Sequence, residues 1–198
     1  MKQAALFLAT LASALAHSQT SFLPEAWLPV EVRPFVEAGT RPIALRSADL
    51  NGDGQLDYVL VLEKQTSEDQ ESDWEEGQRP FLLIVREPSQ KLRLAKRNDR
   101  IIRCSTCGSD MRDPLEAIEA DFEGFSVRHR GWDGSSTFQF GYSRLNDTWQ
   151  LTKSEQVKLH ARQPYRAREH TVYTAPIHFG TIGIADFDPD AYLNAEAK

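Results

Sequence analysis

The sequence predicts a mainly β domain, antiparallel and built of hairpins with minor helix, on three observations. Apolar residues alternate with a period of two through much of the chain, as side chains on a pleated strand do. Phe125, Val127 and His129 share a face in one such stretch, and Phe138, Phe140 and Tyr142 share one in another. Two runs, Tyr58-Val59-Leu60-Val61-Leu62 and Phe81 to Val85, are continuously apolar at strand length, which marks strands covered on both faces. Helical signals are scarce, and they reduce to a short helix within Pro24 to Glu37 and one turn within Pro114 to Ala120.

In chain order, the N-terminus has Lys2, an apolar stretch from Ala4 to Leu15 and a small-residue pattern at Ala14-Leu15-Ala16 before His17. This is the pattern of a secretory signal peptide over residues 1–16. The stretch falls short of the roughly 20 apolar residues a membrane span needs, and no later segment approaches that length. No Cys follows the cleavage pattern to take a lipid anchor of the bacterial lipoprotein kind. The expectation is a periplasmic or secreted chain with no membrane span. Residues 17–198 have the length of one domain, with no Pro/Ser/Gly-rich linker to divide them. The chain has 29 acidic against 23 basic residues, a net charge of −6. Losing residues 1–16 removes Lys2 and no acid, so nucleic acid is disfavoured as the main partner.

Pro42-Ile43-Ala44-Leu45-Arg46-Ser47-Ala48 reads as a strand paired with the Tyr58–Leu62 run, and the connection between them is Asp49-Leu50-Asn51-Gly52-Asp53-Gly54-Gln55-Leu56-Asp57. Calcium takes six to eight oxygen ligands, and alternate residues of a tight loop supply them. Asp49, Asn51, Asp53 and Asp57 fall at positions one, three, five and nine, and Gln55 at position seven offers its main-chain carbonyl. Gly54 at position six suits the positive φ of the turn. An EF-hand also needs a Glu at position twelve and flanking helices, but that position is Leu60, so the EF-hand reading fails. The competing reading is an ordinary Asp/Asn/Gly turn. Three carboxylates in nine residues favour the cation, because turn chemistry needs only one or two of them.

With its following hydrophobic strand, this loop resembles the calcium-binding β-hairpin loops of FG-GAP and VCBS repeats. That resemblance covers about twenty residues and implies a calcium site. The full motif occurs only once, so a β-propeller is not expected. The segments Ala48 to Glu63, Arg97-Asn98-Asp99-Arg100 to Pro114, and Gly124 to His129 leading to Trp149-Gln150-Leu151 resemble exported bacterial proteins with one such loop ahead of a β-rich body. No activity comes with that likeness. Asp186-Phe187-Asp188-Pro189-Asp190 imitates the spacing of the first three ligands but lacks the glycine turn, and reads as a polar chain end.

Glu63 to Glu76 is acidic and without hydrophobic period, hence a long loop with Trp74 near its end. Arg86 to Arg103 is mainly basic, and Leu92 and Leu94 alternate there with Lys91 and Arg93, as in a strand with one wet face, with an anion-binding strip as the alternative. Asn146-Asp147 marks a hairpin turn leading to Trp149 and Leu151.

Cys104-Ser105-Thr106-Cys107 in an exported chain is expected to form a disulfide, with a redox centre or a zinc site as alternatives. His129, His160, His170 and His178 show no paired ligand spacing. No nucleophile elbow is present, since Gly141-Tyr142-Ser143-Arg144-Leu145 lacks the final glycine, and there is neither a His-Glu-x-x-His helix nor a phosphate-cradling loop. The expected function is a noncatalytic binding or structural module, stabilised by calcium, that meets an unknown protein or envelope component. The alternative is a small exported enzyme, using Cys104/Cys107 for thiol-disulfide exchange or calcium to orient an anionic substrate.

Overall fold

The structure, a computed structural model, describes residues 23–65, 78–107, 112–159 and 168–196. The signal-peptide reading, His17, His160, Trp74 and most of the acidic segment lie outside those residues.

Two antiparallel sheets are formed, each by strands that pair with their neighbours in sequence. The first contains β1 (Thr40–Ala48), β2 (Asp57–Lys64), β3 (Phe81–Arg86) and β4 (Leu92–Asn98) in that order. The second contains β5 (Leu115–Asp121), β6 (Gly124–Gly131), β7 (Gly134–Ser143), β8 (Thr148–Leu159) and β9 (Arg168–Thr174). No propeller is built, and α1 (Pro189–Glu196) is the one α-helix among the described residues.

Sequence pattern and burial agree most closely at β2. Val59 and Val61 enter the main core with Phe81, Leu83 and Val85. Tyr58, Leu60 and Leu62 point the other way, into a second cluster with Leu82, Ile84, Leu28 and Val32. The central strands of the first sheet are thus covered on both faces, the outer one by the chain ahead of β1. From the second sheet, Phe125, Val127, Phe138, Phe140, Trp149 and Leu151 complete the main core. Phe125 stacks on Phe140 at 5.0 Å between ring centroids, and Phe187, from the chain before α1, meets Phe138 edge-on at 4.9 Å.

Helix is scarcer than the sequence suggests. Pro24 to Glu37 holds two single 3-10 turns, Glu25–Trp27 and Arg33–Phe35, because Pro29 and Pro34 supply no amide hydrogen to a continuous ladder. The turn expected in Pro114 to Ala120 is instead strand β5. A bulge between Leu115 and Ala117 sets Leu115 opposite His129 and Ile118 opposite Val127, so residues three apart face inward and imitate helical spacing. At the C-terminus, Asp188 caps α1, its Oδ1 accepting from the amides of Asp190 at 2.9 Å and Ala191 at 3.3 Å. Strand β4 is an edge on which Leu94 is exposed along with its charged neighbours.

Candidate functional site

The nine-residue loop joins β1 to β2, and its side chains turn onto its own backbone. Asp49 Oδ1 accepts from the amides of Gly52 at 2.8 Å and Asp53 at 3.0 Å, and its Oδ2 accepts from Gly54 at 2.8 Å. Asp53 Oδ1 accepts from the Gln55 amide at 2.8 Å, and Asn51 Oδ1 from the Asp53 amide at 3.0 Å. Gly52 at φ +73° and Gly54 at φ +82° make the curl possible, a conformation that side chains with a Cβ resist. The Gln55 side chain leaves the loop and accepts from Gln90 Nε2 at 2.8 Å.

Asp57 differs from the other two acids because it begins β2 and is fully buried. Its Oδ2 accepts from the Leu50 amide at 3.1 Å and its Oδ1 from the Arg86 amide at 2.8 Å, so one carboxylate fastens the loop to β3. Burial pushes its pKa up, two backbone hydrogen bonds oppose that, and the charges of Asp53 and Asp49 raise it further. Among the described residues, no Lys, Arg or His forms an ion pair with Asp49, Asp53 or Asp57.

Besides the core they share, the two sheets meet at this loop. Leu50 is fully buried in the shared core. The Leu50 carbonyl accepts from the buried Trp149 Nε1 at 2.7 Å, and the Asp49 carbonyl accepts from the Glu123 amide at 2.8 Å. An ion pair between Arg144 and Glu123 lies over Gly52, where an added Cβ would fall 2.7 Å from both side chains. The β5–β6 and β7–β8 turns of the second sheet therefore rest on the loop of the first.

The ligand atoms that the side chains of Asp49, Asn51, Asp53 and Asp57 offer are oxygens, the type a hard cation takes. Among the described residues, however, no group of three or more His, Cys, Asp and Glu side chains is gathered as a formed metal site. Asp49 and Asp53 face loop amides and Asp57 faces Leu50 and Arg86, so binding a cation would need the carboxylates to share those amides or swing from them. Each carboxylate oxygen has two lone pairs and accepts more than one partner.

Cys104 and Cys107 are joined by a disulfide. Among the described residues the pair is followed by β5 and not by a helix whose N-terminus would lower a thiolate pKa. Of the histidines, His178 is held by Thr174 and His170 pairs with Glu155 at 3.5 Å, both on the exposed surface.

Two buried titratable features lie outside the site that the sequence predicts. Arg79 has no exposed side-chain surface and lies between Glu63 and Asp113, making five hydrogen bonds to Glu63, Asp113 and the Arg103 carbonyl. Arg41 binds the other oxygen of Glu63 at 2.7 Å. Beside this network is His129, 3% exposed, with neither ring nitrogen hydrogen-bonded among the described residues. Burial first, then the Arg103 charge, hold its pKa down to about 4. Periodicity placed His129 on an inward face, but nothing in the sequence links Arg79 to partners 16 and 34 residues away.

No protein family, curated protein or solved structure matches this chain.

Proposed function

We propose that this chain is an exported calcium-binding protein without catalytic activity, a binding or structural module in which the cation locks the joint between two sheets. One observation carries the reading. Three carboxylates, one of them fully buried and none paired with a cation among the described residues, crowd a loop on which both sheets depend. Asp49, Asn51, Asp53 and Asp57 would hold the ion through their side chains, and Gln55 through its carbonyl. Bound calcium supplies two positive charges against the three carboxylates and so removes the repulsion among them. The protein contributes the rest: Asp57 ties the loop to β3, and Leu50 and Trp149 transmit its order to the second sheet. The partner is an unidentified protein or envelope component, met through the β surface.

The test is the melting temperature of the protein in calcium and in chelator, with magnesium as the control ion. At free calcium near twenty times the dissociation constant, linkage adds about 2 kcal/mol, which for a domain of this size is a rise of roughly 4–8 °C. The rise should be absent in Asp53→Ala. Equal melting temperatures in calcium and chelator would reduce the loop to a self-satisfied turn.

A further inference from the structure

A cleft of about 260 Å³ opens where β6 turns into β7, at the far end of the second sheet from the loop. Strand β6 separates the two places by its length, roughly 25 Å at a rise near 3.3 Å per residue. The lining is rich in cationic side chains. Arg103, Arg130 and Lys158 line it against one carboxylate residue, Asp133, in a chain whose overall charge is negative. The hydroxyls of Ser135 and Ser136 add two further donors. Arg103 reaches Asp190 with Nη2, and Arg130 reaches Glu116 at 3.2 Å; both acids lie outside the lining.

Two buried nitrogen-bearing groups in this lining have unmet hydrogen-bonding capacity. Among the described residues, Arg103 Nε has no hydrogen-bond partner, and neither has Nδ1 or Nε2 of His129. Buried polar atoms are as a rule paired, and unpaired nitrogens on two residues that line one cleft call for an explanation. A neutral imidazole presents one N–H, and the guanidinium Nε presents another, so whatever satisfies both must accept hydrogen bonds. The volume is below that of a pocket for a drug-sized molecule and suits a single charged group.

We propose that this cleft binds a small oxyanion, a phosphate or sulfate, through Arg103, His129, Arg130 and Lys158 with Ser135 and Ser136. The anion is either free or a substituent on a larger molecule. In the second case the remainder lies toward Trp132, which sits at the tip of the same turn and is 75% exposed. The site does not depend on the calcium reading.

Sulfate is the first probe because its charge is constant across the pH range used. It is titrated into the full chain while the His129 imidazole resonances are followed by NMR, assigned with a His129→Phe variant. Sulfate is expected to shift those resonances and to raise the His129 pKa from about 4, with Arg79, Arg103 and Asp113 the charged groups that face the ring. Lys158→Gln, at the rim, should weaken binding roughly tenfold with the fold intact, and Arg103→Gln by at least as much. A hexose phosphate binding more tightly than inorganic phosphate, with the gain lost in Trp132→Phe, identifies a substituted ligand; equal affinities identify the free anion. His129 resonances unmoved by sulfate, phosphate and hexose phosphate overturn the proposal. So does sulfate affinity unchanged in a folded Lys158→Gln or Arg103→Gln.

Discussion

Replacing Arg79 by Met tests whether one buried guanidinium holds the end of the first sheet to the chain that leads into the second. The side chain has no exposed surface, and its five hydrogen bonds go to Glu63, Asp113 and the Arg103 carbonyl. Removing one member of a buried ion pair destabilises by about 3–5 kcal/mol, because the remaining charge is left desolvated. Glu63 keeps Arg41 at 2.7 Å, and Asp113 retains 15% side-chain exposure, so the low end of that range, about 3 kcal/mol, is expected. Arg79→Lys keeps the charge but cannot present a planar fork to both acids, and should lose about 1–2 kcal/mol. Urea unfolding followed by circular dichroism reads the effect. At a slope of roughly 2–3 kcal/mol/M, the Met variant's midpoint falls by about 1–1.5 M. The triple variant Arg79→Met/Glu63→Met/Asp113→Asn should recover much of that, since apolar packing often replaces a buried ion pair without loss. A Met variant within about 0.5 kcal/mol of the parent at unchanged slope would refute the assignment, because that is the range of an inconsequential surface change.

Other outcomes follow from the loop and from His129. Asp53→Ala should abolish the calcium-dependent rise in melting temperature, whereas Gln55→Ala should keep most of it, because the Gln55 side chain is turned to Gln90; equal losses would sink the ligand register. Leu50→Ala, at a fully buried position in the shared core, should lose about 2–5 kcal/mol in denaturant unfolding even with calcium saturating, and a loss under 1 kcal/mol would contradict the loop's role as a joint. For His129 the folded pKa near 4 is below the ordinary value of 6.5. Between those values the unfolded chain holds a proton that the folded chain lacks, so stability falls as pH drops from 6.5 and the loss is complete near 4. Relative to His129→Phe, the parent should lose about 3 kcal/mol over that window, and parallel pH profiles for the two proteins would count against a desolvated ring.

Much of the fold was legible because strands leave a mark with a period of two. The Tyr58–Leu62 run announced a strand with two covered faces, and Phe138 to Leu151 announced a hairpin. Irregularities hid the rest. The bulge in β5 put Leu115 and Ile118 on one side, and their spacing of three is indistinguishable in sequence from a turn of helix. The loop's oxygen donors and its Gly54 turn could be read directly, since neighbours in sequence build them. Its place under Trp149 and Glu123 could not, because a carbonyl–indole contact across 99 residues leaves no local pattern. Arg79 illustrates the same limit more severely, since a charged residue ahead of a proline reads as surface until Glu63 and Asp113 are brought to it.

The basic residues of β4 bear on how the molecule avoids its own copies. Two open sheets leave strand edges with unpaired amides and carbonyls, which are templates for pairing between chains. On β4, Arg93, Lys96 and Arg97 stand along such an edge, and the pairing to β3 is interrupted by a bulge between Leu83 and Ile84. On the opposite edge, β1 carries Arg41, Pro42 and Arg46 and a bulge of its own between Pro42 and Ala44. Long charged side chains, a missing amide and a broken register each discourage a second chain from extending the sheet. The charged side chains on these edges therefore have a use that needs no ligand: they disfavour growth of a sheet with a richly apolar interior past its fourth strand.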